Sequence, residues 1–255
     1  MQKPLDCEQH NLLPGQYQCG LRRLHMNESL LLDLQNVLYN TYTMKNTLLE
    51  PIILSDSSNM SFAFEWVSGE KHISISWTTD VKLFFLIYDA TIKLVIDVMS
   101  EKCSVSCAAI VVSAWNISSS LDLSVTLKVS HTKADIYALS LLGNNAKAVV
   151  NGGVVIDPWL IQAEGYLSEE NLLLGEKIQI KALPMLDVRS NDVKASHWSK
   201  IERLDEQKLF YLHAKWLSPA AAKHLMIQSY IQKALDHGWE GENNEIIEKI
   251  FTYLA

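Results

Sequence analysis

Residues Leu183–Leu235, LPMLDVRSNDVKASHWSKIERLDEQKLFYLHAKWLSPAAAKHLMIQSYIQKAL, begin as a strand and end as helices. Met185, Leu186 and Val188 form a short apolar run, followed by the turn-prone Ser190-Asn191-Asp192. Asp205 precedes a helical pattern in which Leu209, Phe210, Leu212 and His213 recur about one turn apart. Ser218-Pro219 reads as an N-cap with proline at the first helical position. Beyond it, Leu225, Met226, Tyr230 and Ile231 repeat at three- and four-residue steps. The stretch therefore joins a β region to a helical hairpin.

Upstream, from about Asn59 to Ile180, the signal is β. Phe62–Trp66, the alternation of Ile73, Ile75 and Trp77, Val81–Tyr88 and Ile92–Val98 all read as strands. The clearest is Leu121–Val129, where Leu121, Leu123, Val125, Leu127 and Val129 face one way and Asp122, Ser124, Thr126 and Lys128 the other. Further runs follow at Asp135–Leu142, Ala146–Ile156 and Lys177–Ile180. Turns are expected at Gly143-Asn144-Asn145 and Ser168-Glu169-Glu170-Asn171. Many short strands without intervening helices imply a sandwich, a barrel or a solenoid, and the pattern alone does not choose. Residues 1–28 look irregular, broken by Pro4, Pro14 and Gly15. Leu30–Leu38 reads as helix or strand.

Composition bounds the function. A 255-residue chain, 48% hydrophobic and 20% charged, is ordinary for a globular protein. Its net charge of −7 and the absence of a dense Lys/Arg cluster argue against a nucleic-acid surface. The longest apolar runs are too short to span a bilayer, and the N-terminus carries no export signal. A cytoplasmic location with reduced thiols is the expectation. No glycine-rich phosphate loop follows a strand, no nucleophile elbow is present, and the carboxylates form no glycosidase-like pair. The chain is expected not to be an enzyme.

Leu186-Asp187-Val188, Asn191–His197, Leu204-Asp205-Glu206 and Leu209-Phe210-Tyr211-Leu212 together resemble the core of the SufB/SufD family, components of the Suf iron–sulfur cluster assembly complex. Val129–Thr132, Leu142–Ile156 and Asn171–Leu174 extend the resemblance upstream, so it covers roughly residues 120–235. It implies a mainly β chain built as a right-handed parallel β-helix with a C-terminal helical segment. The expected layout is a short, partly irregular segment over 1–55, a β-helix core over 56–203 and a helical domain over 204–255.

The resemblance also implies a role and its residues. The chain would be a SufD-like scaffold that pairs with a SufB-like subunit, or with itself, and docks the SufC ATPase. His197 is then the cluster-assembly and metal-ligating candidate, because an imidazole ligates iron. No cofactor would be stably bound; a cluster would be transient, at a subunit interface. Gly165–Gly175, where SufB would carry a sulfur-receiving cysteine, has none, which places the chain nearer SufD. Phe210, Tyr211 and Trp216 are the aromatic anchors for ATPase docking; the alternative is that the helical stripe caps the end of the β-helix.

The sequence departs from the family pattern in two places. Ala195 replaces a cysteine, and Trp198-Ser199-Lys200 replaces Gly-Ala-Thr. Glycine permits backbone angles that tryptophan does not, so the geometry of the loop around His197 is open. Ala214–Leu217 replaces Ser-Arg-Gly-Ile, and lysine does not reproduce the bidentate geometry of arginine. The competing reading is a divergent β-helical interaction module that keeps the ATPase site and has lost the cluster site. Cys103 and Cys107, four residues apart, read as buried, inert thiols rather than a metal pair.

Overall fold

A computed structural model describes residues 41–43, 52–54, 58–65, 68–76, 80–241 and 243–255. All belong to one compact unit, residues 40–255. The readings for residues 1–28 and Leu30–Leu38, with Cys7 and Cys19, lie outside the described residues, as does Trp77.

The described strands form two sheets, and every pairing is parallel. The first sheet runs β1 (Thr41–Thr43), β3 (Ser58–Glu65), β5 (Asp80–Tyr88), β7 (Ser104–Ser113), β9 (Lys133–Leu142), β11 (Ile161–Leu173), β14 (Asp192–Arg203). The second runs β2 (Ile52–Leu54), β4 (Ser68–Ile75), β6 (Thr91–Val98), β8 (Ser118–Leu127), β10 (Lys147–Ile156), β12 (Gln179–Ala182). In that sheet β13 (Met185–Val188) also pairs with β10. Odd and even strands alternate along the chain, so each turn of the chain adds one strand to each sheet. This is a parallel β-helix.

The register explains the alternation in the sequence. Parallel partners point to the same face, so inward residues stack in columns from coil to coil. Leu83, Cys107, Ile136 and Leu167 form one such column, and Phe85, Ala109 and Ala138 another. These residues, with Leu121, Leu123, Val125 and Leu127 of β8, make one fully buried interior cluster. Each leucine or isoleucine buried there contributes about 1.5–3 kcal/mol relative to exposure. Polar groups at the corners are satisfied locally. Buried Ser119 donates to the Val112 carbonyl at 2.7 Å and accepts the Asp89 N–H at 3.0 Å. Asn116 and Asn145 take the left-handed conformation at such corners, with φ of 69° and 54°, which asparagine tolerates.

Three helices follow: α1 (Glu206–Ala214), α2 (Pro219–Gly238) and α3 (Asn244–Leu254). Asp205 caps α1 by accepting the N–H groups of Gln207 (2.9 Å) and Lys208 (3.2 Å). Ser218 caps α2, with Pro219 in the first turn. The α2 stripe of Ala222, Met226, Ile227, Ile231, Ala234, Leu235 and Gly238 is buried. Its surroundings are the outward residues of the first sheet, including Phe84 and Leu86 of β5, Ile110 of β7 and Leu139 of β9. Ile247, Ile250 and Tyr253 of α3 join this second core, where Tyr253 stacks on Tyr88 at 3.8 Å. The first sheet is thus apolar on both faces, which is why Val81–Tyr88, Lys82 apart, reads as a nearly continuous hydrophobic run.

Three expectations change. Ser168–Asn171 is not a turn: it lies inside β11, where all but Ser168 are buried. A polar run looks like a turn only when its tertiary partners are unseen. Residues 192–203 form a continuous strand, so no loop surrounds His197 and Trp198 occupies an ordinary strand position that needs no glycine. The α2 stripe covers the side of the solenoid across several coils; it does not cap its end.

Candidate functional site

β14 is the last strand of the first sheet and pairs only with β11, leaving its other edge open among the described residues. Its inward positions are set by register. Val193 and Ala195 pack against the interior cluster, and His197 follows on the same face, opposite Leu167. His197 therefore ends the column that runs through Leu83, Cys107, Ile136 and Leu167. Among the described residues no further coil stacks on it, and the imidazole is exposed.

The neighbouring columns turn polar at the same end. Phe85, Ala109 and Ala138 lead to Glu169 and Ser199, while Ile87 and Val111 lead to Ser140 and Asn171. Glu169 is 0% exposed. Its Oε1 accepts the Gly152 N–H from the opposite sheet at 2.8 Å. Burial holds its carboxyl above the usual carboxylate range, against the opposing pull of Gly152 and Ser199. Periodicity alone missed this group. The signal was present, since Glu169 and Asn171 share a face with Leu167 and Leu173.

The outward residues of the same strands hold α2. Glu170 accepts from the Tyr137 hydroxyl at 2.7 Å and from Lys233 of α2 at 2.6 Å. The Lys233 ammonium also lies 4.6 Å from the Tyr137 ring centroid and 5.7 Å from that of Trp198. Trp198 thus faces outward beside α2, on the opposite side of β14 from His197. Glu202 accepts from Tyr230 of α2 at 3.0 Å and pairs with Lys200 at 2.6 Å. Burial, then the Glu202 contact, pushes the Tyr230 hydroxyl up to about 12.

The three docking candidates stand in the open. Phe210, Tyr211 and Trp216 are 75%, 60% and 97% exposed, and α1 has no buried residue. Trp216 follows the C-cap Lys215 with φ 68°. Its N–H bonds the His213 carbonyl, and the Leu217 N–H bonds that of Leu212, which is a Schellman ending. They share no element with His197, which lies on β14, whereas Phe210 and Tyr211 lie on α1 and Trp216 just after it.

Cys103 and Cys107 are buried, unpaired and part of the interior cluster. Burial pushes the Cys103 thiol up to about 11, with Asp80 adding to it, and burial raises Cys107 as well. Neither is a ready metal ligand. Among the described residues no three His, Cys, Asp or Glu side chains converge on one point, and no helix is long and apolar enough to cross a membrane.

Comparison with known proteins agrees with this architecture. Residues 74–230, more than half of the chain, match the family model described as SUF system FeS cluster assembly, SufBD core domain. Similar proteins include the iron–sulfur cluster assembly protein SufD of Escherichia coli (26% identical over 91 residues, 36% of this chain and 22% of that protein). A SufBD family protein of Synechocystis sp. is 31% identical over 91 residues, 36% of this chain and 20% of that one. The chloroplastic protein ABCI7 of Arabidopsis thaliana is 24% identical over 119 residues, 46% and 25% of the two chains. The matched stretches thus span between a fifth and a quarter of these relatives. The chain belongs to the SufBD core family of Suf iron–sulfur cluster assembly proteins.

Proposed function

We propose that this member of the SufBD family is a SufD-like scaffold subunit, joined end to end with a SufB-like subunit or a second copy of itself and carrying a SufC-like ATPase on α1. The observation that carries the reading is the edge of β14, open among the described residues, with His197 on its inward face. An unpaired parallel edge is a template for another strand. Exposed Leu183, Met185, Val188 and Ile201 lie on the strands and linker of the same terminal coil and would be covered by such a partner. An interface there surrounds His197 and excludes water from a nascent cluster. The exposed aromatics of α1 have the chemistry of interface anchors, and α2, tied to β11 and β14 through Lys233 and Tyr230, links that surface to the terminal coil.

Co-expression with the SufB-like and SufC-like proteins of the same organism, followed by size-exclusion chromatography and mass determination, tests the reading. A stable three-protein complex is expected, from which Phe210→Ala with Trp216→Ala releases the ATPase. A chain that elutes alone would refute it. The second reading, an interaction module without a cluster site, draws on the burial of both described cysteines and on Ala195 in β14. His197→Ala separates the two. Unimpaired cluster delivery by an assembled His197→Ala complex selects the module.

A further inference from the structure

We infer that the corner Asp157–Gln162, with Trp159 at its centre, is a second contact surface for the SufB-like subunit seated on the β14 edge. The partner then wraps round the side of the last two coils as well as meeting the end of the stack. The inference rests on the pairing proposed above and adds this corner to it. Trp159 occupies a costly place. It is left-handed, with φ 68°, a conformation that side chains other than asparagine and aspartate adopt reluctantly. The same conformation at other corners falls to polar residues, Asp89, Lys102, Asn116, His131 and Asn145 among them. Trp159 is also 93% exposed, so its ring gains almost nothing from packing within the chain; Trp115, left-handed too, is half-covered at 52%. A large apolar ring that is both strained and in solvent marks a contact made outside the chain.

The chain around Trp159 is shaped to the same end. The β11–β14 register shifts between Ile161 and Ala163, and the extra residue, Gln162, is itself left-handed with φ 52°. A bulge re-aims the side chains beside it, and Ile161 stands 47% exposed, two residues from Trp159. Polar groups ring the pair. Gln162 Oε1 lies 3.1 Å from His131 Nδ1, and the Ser130 hydroxyl accepts the Ile161 N–H at 3.1 Å. An apolar centre inside a polar rim is the make-up of a protein–protein contact.

Register identifies the occupant. Ile161 pairs with Asp192, the first residue of β14, so the corner lies one strand spacing, about 4.8 Å, from the edge that is open among the described residues. The corner of the last coil sits directly on this one. Ser190 accepts the Leu160 N–H at 2.9 Å and donates to the Asp157 carbonyl at 2.6 Å. Exposed Val188 comes two residues before Ser190, so an apolar surface runs from the end of the stack round to Ile161 and Trp159. The ATPase surface lies elsewhere. β14 has 12 residues, about 35 Å of extended chain, and α1 begins beyond its far end. A subunit that pairs along β14 passes the 157–162 corner; one held by α1 sits at the other end of the strand.

Trp159→Asn tests it through two readouts of opposite sign. Asparagine accepts the left-handed backbone, so the full chain alone should unfold at the wild-type Tm or slightly above. Affinity for the immobilised SufB-like subunit should fall about 30-fold or more, as for a tryptophan anchor. A residue that merely holds the fold would lower both. A second measurement needs no functional variant. In the full chain labelled with 5-fluorotryptophan, the fluorine resonance missing from Trp159→Asn should shift when unlabelled SufB-like subunit is added. A complex of unchanged affinity, or one that leaves that resonance unmoved, overturns the inference and leaves the pairing standing. A clear fall in Tm overturns it too, by giving Trp159 a role in the fold. No complex at all sinks the pairing and this inference together. A dimer of the chain alone that Trp159→Asn dissociates makes the occupant a second copy, which overturns its assignment to a SufB-like subunit.

Discussion

Gly238→Ala tests how α2 is seated. Gly238 is the last residue of α2, where the helix lies close against Leu83 of β5 and Ala108 of β7. A Cβ there would lie 2.5 Å from the Ala108 Cβ, 2.6 Å from the Ala108 nitrogen and 2.7 Å from the Leu83 carbonyl oxygen. Two of those atoms are backbone and cannot rotate away. The helix end must lift, which loosens the packing of Ala234 and Leu235 on the sheet. Overpacking of this kind costs about 1–3 kcal/mol, and the backbone obstruction puts it near the top of that range. Helix propensity acts the other way, since alanine is favoured over glycine by about 1 kcal/mol. The net expectation is about 2 kcal/mol of destabilisation, a fall in Tm of about 4–8 °C for a protein of this size. Urea and thermal unfolding followed by circular dichroism measure it. Pairing the change with Ala108→Gly removes only the Cβ contact, so partial recovery is expected. A Tm above wild type would show that propensity governs this position and that α2 is not closely seated.

Other substitutions separate folding from docking. Trp216→Gly removes a fully exposed side chain from a left-handed position, so stability should be unchanged or rise by up to about 1 kcal/mol. ATPase binding should weaken about 30-fold if Trp216 is an anchor worth about 2 kcal/mol, and equal affinity on a biosensor surface would remove it from the interface. Glu169→Gln should stabilise the protein in a pH-dependent way. The folded carboxyl titrates above its unfolded value, so its penalty is absent below the unfolded pKa, about 4.3. It grows as pH rises from there to the folded value, and a gain in urea midpoint that is the same at pH 4 and pH 7 would contradict this. In a variant with Cys7→Ser and Cys19→Ser, the native protein should resist a thiol reagent that labels Cys103 and Cys107 in denaturant. Rapid native labelling would place those thiols outside the core.

Much of the fold was legible because its signals are local. The alternation over Leu121–Leu127 needs only a two-residue period, and Asp205 and Ser218 announce their helices through caps that span three residues. The Suf-like segments named the solenoid where periodicity left three choices open. What escaped was long-range. The apolar stripe of α2 says that the helix is buried, yet only the outward Phe84, Ile110 and Leu139 say against what. Ser168–Asn171 has turn-like composition, and its strand character comes from pairing with β9 and β14, some 30 residues away on either side. His197 was found through resemblance. Glu169 needed the register, because its partners Gly152 and Ser199 come from two other strands.

A bare solenoid couples each coil only to its neighbours, so it can fray from an end one coil at a time. Here α2 touches β5, β7 and β9 together, and its Lys233 reaches Glu170 of β11. The terminal coil cannot peel away without releasing a helix that also grips coils well inside the stack. A splint of this kind turns stepwise fraying into a single cooperative transition. Amide exchange should then report nearly the same opening free energy for β5 and β11, where an unbraced stack would show a gradient.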